Sequence, residues 1–131
     1  MSRVLMRAGL AMALLLAFHS SAHAWPDKTP ALPQAPSGYV ECRVTATSDT
    51  PIGLVAAIFS NDGRNVTEFG QGSRVKTEDG FAAEETAGSF DAASSRYYCK
   101  FSVTRARRKN VHASLTAFDS EGSPVATVQP R

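Results

Sequence analysis

Few side chains in this sequence have the types and spacing that chemistry requires. Nucleophilic catalysis needs a Ser or Cys, a base beside it and a group to orient the base. Of three histidines, His19 and His23 fall in an N-terminal leader, so His112 is the only imidazole base left. It lies in an alternating stretch whose inward phase belongs to Val111 and Leu115, which puts His112 on a strand surface. Glu84 and Glu85 are adjacent, whereas a glycosidase holds two carboxylates at a set separation across a cleft. Asp119-Ser120-Glu121-Gly122 has some calcium-loop character but lacks the later bidentate Glu of an EF-hand, so it reads as a turn. Cys42, Cys99 and His112 are too scattered for a zinc pattern, and there is no phosphate-cradling glycine loop. The expectation is a protein that is not an enzyme and holds no metal and no cofactor.

The pronounced feature is charge segregation. Residues 78–91 hold five acids and no base. Between residues 92 and 118 there are six bases and no acid: Arg96, Lys100, Arg105, Arg107, Arg108 and Lys109. A cluster of this kind suits an acidic protein surface, an anionic envelope glycan or a lipid headgroup. Two plainer readings compete with it. The cations could be a solvated hairpin tip that keeps strand edges from aggregating, or the acidic segment could fold over the basic one. Nucleic acid is not expected as a partner, because the nearby aromatics Tyr97 and Phe101 have the inward phase. Asn65-Val66-Thr67 matches a glycosylation sequon and Arg105-Ala106-Arg107-Arg108 resembles a basic-site protease target; both matter only in a eukaryotic source.

The compartment follows from the leader. Arg3 and Arg7 precede an apolar run of 11 residues, 8–18, and Ala22-His23-Ala24 forms a small-residue cleavage site. This is the layout of an export signal over residues 1–24, and no later run is apolar enough to span a membrane. The location expected is periplasmic or secreted. The chain's formal charge of +2 comes entirely from Arg3 and Arg7; residues 25–131 carry 12 basic and 12 acidic residues and are formally neutral. In an oxidising compartment, Cys42 and Cys99 are expected to form a disulfide.

The remaining residues read as short strands. Residues 25–38 contain four prolines and form a linker or extended arm ahead of a single domain, 39–131. Residues 39–47 alternate with Val40, Cys42, Val44 and Ala46 inward. Residues 53–60 are apolar on both faces, which predicts a central strand. Asn61-Asp62-Gly63 predicts a turn, with 64–69 returning as a partner strand. Gly70-Gln71-Gly72 predicts another turn before a short strand at 73–77. Residues 78–94 have no clear period; a short helix over 82–87 is one option, with Phe81 and Phe90 pinning the stretch. Residues 96–104 alternate with Tyr97, Cys99, Phe101 and Val103 inward, 107–110 predict a hairpin tip, and 111–118 return. After the 119–122 turn, 124–128 predict an edge strand, consistent with Pro124 at its start.

Tyr97-Tyr98-Cys99 resembles the segment before the second cysteine of immunoglobulin-like domains. The resemblance places Tyr97 at the tyrosine-corner position and implies a Cys42–Cys99 bridge between two sheets. The pattern departs from the family in having no Trp after Cys42. The fold expected is all-β: a small antiparallel β-sandwich of immunoglobulin-like architecture, with about seven strands and one inter-sheet disulfide. The function expected is an exported, non-catalytic binding module acting on a protein partner as an inhibitor, immunity or accessory factor. The alternative is a binder of an anionic envelope glycan or lipid headgroup through the basic tip 105–109. A pilus subunit fits less well, because the proline-rich 25–38 would make a poor donor strand.

Overall fold

The computed structural model describes residues 28–34, 37–92 and 94–130; the expected export signal lies outside them. The chain is a sandwich of two antiparallel sheets. In chain order the strands are β1 (Leu32–Pro33), β2 (Tyr39–Ser48), β3 (Gly53–Ser60), β4 (Phe69–Thr77), β5 (Gly80–Ser89), β6 (Arg96–Thr104), β7 (Val111–Phe118) and β8 (Pro124–Val128). One sheet has the order β1-β6-β3 and the other β4-β5-β2-β7-β8.

The inner faces follow the alternation of the sequence. Val40, Cys42, Val44 and Ala46 of β2 face Tyr97, Cys99, Phe101 and Val103 of β6, and all eight are buried. Leu54 and Ile58 of β3, Ala83 and Ala87 of β5, and Leu115 and Ala117 of β7 complete this core. Cys42 and Cys99 are bonded across it, with Cα atoms 5.8 Å apart. The bridge joins β2 of the larger sheet to β6 of the smaller, the inter-sheet link that the immunoglobulin resemblance implied.

Tyr97 is fully buried, and its hydroxyl donates to the carbonyl of Asp91, six residues upstream. The same hydroxyl accepts from the Ser94 amide at 3.1 Å. This is the geometry of a tyrosine corner, in which the ring packs the core and its polar tip satisfies the chain entering the strand. The connectivity nevertheless differs from an immunoglobulin domain. There the last strand joins the sheet of the second cysteine; here β7 pairs with β2, the strand of Cys42, in a register of Cys42 against Leu115. The place beside β6 is taken by β1, with Leu32 opposite Tyr97.

Four sequence expectations are corrected. First, β3 lies at the edge of its sheet. Its apolar outer face reflects an exposed Val55 (63%) and a Phe59 that stacks on Tyr98, not burial on both sides. Second, the chain after the turn does not return as a strand. Gly63 takes the positive φ (+88°) that the turn requires. Residues 64–67 then follow β3 through a single Phe59–Asn65 bridge, because Thr67 Oγ1 replaces a backbone group as acceptor for the Ile58 amide at 2.8 Å. Third, Gly70-Gln71-Gly72 is no turn: β4 runs unbroken from Phe69 to Thr77. Fourth, 82–87 is not helical but the middle of β5, which pairs with β2 on one side and β4 on the other.

The pattern of β5 is weak because its buried inward residues are the small Ala83 and Ala87 with Glu85 between them, and that of β4 because it lies beyond the smaller sheet with its inward positions exposed. The inward positions of β4 are Gly70, Gly72, Arg74 and Lys76, opposite Ala87, Glu85, Ala83 and Phe81. Arg74 closes this open flank. Its guanidinium donates to the Leu54 carbonyl of β3 at 2.7 Å and pairs with Glu85 at 3.3 Å. At the other end of the strand, Phe69 lies over Gly88, where a Cβ would stand 2.0 Å from the ring.

Two changes test the lock between the sheets. Cys42→Ala/Cys99→Ala removes a cross-link over 57 residues and is expected to lower stability by about 4 kcal/mol in urea unfolding. Tyr97→Phe leaves the ring but removes the hydroxyl's bonds to the Asp91 carbonyl and the Ser94 amide, and is expected to cost about 1–3 kcal/mol in the same measurement.

Candidate functional site

The six cations do not form one site. Arg96 begins β6 on the outer face of the smaller sheet, where its guanidinium donates to the Ala31 carbonyl at 3.0 Å. Lys100 lies four residues along the same face, with Nζ 5.6 Å from the centre of the Phe59 ring. The others belong to the connection after β6. This connection is not a hairpin tip: β6 and β7 belong to different sheets, and residues 105–110 carry the chain from one to the other. Periodicity marks a strand but does not say which sheet the next strand joins.

Local chemistry sets the shape of this crossover. Arg105 has φ +68°, a left-handed conformation that costs a non-glycine residue about 1–2 kcal/mol. Two contacts hold it there. The Ser48 hydroxyl at the end of β2 donates to the Arg105 carbonyl, and Ala106 is buried beneath the loop. Ser48 Oγ also accepts from the Thr50 amide at 3.2 Å, so one hydroxyl fixes both the β2–β3 connection and the basic loop. A 3-10 turn over Arg108–Asn110, closed by the Asn110 amide on the Arg107 carbonyl at 2.8 Å, leads into β7.

The crossover, the β2–β3 connection and the β4–β5 turn enclose a cleft of about 800 Å³ at this end of the sandwich. Arg105, Arg107 and Lys109 from the crossover share its lining with Asp49 and Asp79 from the other two connections, and Phe81 and Ala106 add apolar surface. Arg108 does not line it. Sequence reasoning missed Asp49 as a partner of this site, since only the fold brings residue 49 beside residue 105.

Ion pairing answers the question raised by the segregated charges. Glu84 pairs with Arg43 at 3.5 Å, Glu85 with Arg74 at 3.3 Å and Asp91 with Arg64 at 3.9 Å. Among the described residues, none of the six cations forms an ion pair within 4.0 Å. Of the acids in 78–91, Asp79 is the one that lines the cleft beside the basic residues.

The other candidate groups take structural places. His112 is exposed on the outer face of β7, opposite Thr45. Asp119 Oδ1 accepts from the amides of Glu121 and Ser123, each at 2.9 Å, and so uses its carboxylate to build its own turn. In the Asn61-Asp62-Gly63 turn, the Asp62 carboxyl is held below its usual range by the Ser60 hydroxyl first and then by the Arg64 guanidinium.

Comparison with protein-family models, with curated proteins and with solved structures finds no match to this chain.

The loop geometry gives a test in which backbone and charge separate. Ser48→Ala should lower stability by about 1 kcal/mol through loss of its hydroxyl bonds. Arg105→Gly removes a charge but suits the left-handed backbone, so its unfolding free energy should stay within about 1 kcal/mol of the parent. Paired urea melts of the two variants measure both.

Proposed function

We propose that this chain is an exported, non-catalytic interaction module that docks on a protein partner through the cleft at the crossover end. The roles this suits are those of an inhibitor, an immunity protein or an accessory factor. Export rests on the leader in residues 1–24 and agrees with the disulfide; among the described residues, no helix is long and apolar enough to cross a membrane.

The observation that carries the reading is the mixed sign of the cleft. Arg105, Arg107 and Lys109 stand around the same opening as Asp49 and Asp79, and among the described residues neither set is ion-paired. Charges left unpaired at a concave surface are available to a partner, and a surface bearing both signs selects a partner bearing both in register. Protein surfaces carry such patterns. A uniform polyanion drawn to the three cations would also meet two carboxylates. The anionic-glycan or lipid-headgroup reading through 105–109 therefore has less support at this end. The lining joins Ser, Thr and Asn side chains to Phe81 and Ala106, a mixture closer to a protein interface than to the mostly apolar pocket of a small molecule.

The reading is tested by affinity capture from the exported fraction, followed by titration of the purified partner. Arg105→Ala/Arg107→Ala/Lys109→Ala is expected to weaken binding by tenfold or more, roughly the loss of one or two charge-assisted contacts. Asp49→Ala/Asp79→Ala is expected to weaken it as well. If the aspartate variant binds an anionic glycan more tightly than the parent and no protein is retained, the cleft is a polyanion site and the reading fails.

A further inference from the structure

We propose that the outer face of the β1-β6-β3 sheet is a second binding surface, one that takes a linear acidic polysaccharide. It goes beyond the cleft reading and uses none of the cleft's residues. The register sets what the face displays. Tyr97, Cys99, Phe101 and Val103 point inward, so Arg96, Tyr98, Lys100 and Ser102 point outward. From β3 the outward residues are Val55, Ala57 and Phe59, opposite Ser102, Lys100 and Tyr98. On the other side of β6, Lys28 is bridged directly to Lys100. Thr29 fixes this pairing: its amide donates to the Cys99 carbonyl at 2.9 Å, and its Oγ1 accepts from the Cys99 amide at 3.0 Å.

Lys28, Arg96 and Lys100 are all exposed, and among the described residues no carboxylate shares their face. Two lysines set directly opposite each other across a strand pair repel, and such a pair is destabilising in the free protein. A bound anion reverses the sign of that interaction. Lys28 and Lys100 stand side by side, and Arg96 stands further along the same face. Arg96 and Lys100 lie about 13 Å apart along β6 at roughly 3.3 Å per residue, which suits successive acidic groups on an extended chain better than one compact anion.

The aromatics place the ammonium. Phe59 and Tyr98 are a cross-strand pair with ring centres 5.7 Å apart and planes 20° apart, and Lys100 extends over the Phe59 ring. Phe59 is flanked by Tyr98 and Lys100, so the ring pair holds the ammonium on this face, where it and the Arg96 guanidinium accept the carboxylate or sulfate groups of the chain. The single sign of this face is the contrast with the cleft, where two aspartates stand among the cations.

Calorimetric titration of the purified protein with polygalacturonate tests the proposal, with dextran, phosphatidylglycerol vesicles and single-stranded DNA as comparators. The parent should bind polygalacturonate, lose affinity as salt rises, and leave dextran unbound. Lys28→Gln/Lys100→Gln should bind about tenfold more weakly, as expected for loss of charge-assisted contacts. Its melting temperature should equal or exceed the parent's, because the variant removes a repulsion. The Arg105→Ala/Arg107→Ala/Lys109→Ala variant should bind polygalacturonate like the parent, which keeps this result separate from failure of the cleft reading. The proposal is overturned by undiminished binding in the lysine variant, by equal loss in the cleft variant, or by tighter binding to vesicles or DNA than to polygalacturonate.

Discussion

The Cys42–Cys99 bridge ties the two sheets at the centre of the sandwich, and every surface discussed above takes its position from that tie. The core it crosses is small: about half of its buried residues are Val or Ala, beside larger side chains such as Ile58, Leu115 and Phe101. Such a core buries limited apolar surface, and a cross-link over 57 residues compensates by restricting the unfolded chain. Tyr97 works beside it, two residues before Cys99. Its ring fills core volume while its hydroxyl gathers the backbone of Asp91 and Ser94. Together they fix β6, the strand from which the outer-face residues and the basic crossover both extend.

From that strand the molecule separates its charges into two kinds of surface. At the crossover end, the turn of the chain from one sheet to the other brings Arg105, Arg107 and Lys109 beside acids supplied by two distant connections. On the outer face of the smaller sheet, strand alternation selects what is displayed, and among the described residues it displays cations and rings without carboxylates. The acids of 78–91 are mostly engaged elsewhere, with Arg43, Arg64 and Arg74. Exposed ion pairs of that kind contribute little to stability. Their effect here is on the field: they neutralise β5 and its surroundings and leave the unpaired charge at the crossover and on the smaller sheet.

The inner faces were legible in the sequence because burial imposes a period of two. Val40, Cys42, Val44 and Ala46, and Tyr97, Cys99, Phe101 and Val103, alternate without a break. β5 was not legible because its buried inward residues are the small Ala83 and Ala87 on either side of Glu85, and β4 because it lies beyond the smaller sheet, where inward positions need not be apolar. Gly70, Gly72 and Arg74 face inward there, and glycines in that setting read as turns. The site was partly legible. Lys100 was assignable to an outer face from its phase, and the basic run was plain from charge. Asp49 beside Arg105, and Lys28 beside Lys100, came into view only with the fold. Each juxtaposition brings together residues more than fifty positions apart, and no local pattern encodes it.

The backbone at Arg105 ties the cleft to the rest of the sandwich. A left-handed arginine is disfavoured on its own, and it persists where the surroundings over-determine it. Here the surroundings are the Ser48 hydroxyl at the end of β2 and the burial of Ala106. β2 is in turn the strand of Cys42, flanked by β5 and β7. The orientation of the basic loop is thus set by the same strand that carries half of the inter-sheet lock. A surface held this way presents its charges without first ordering a flexible loop, and the entropy a partner would otherwise lose on binding has already been lost in folding.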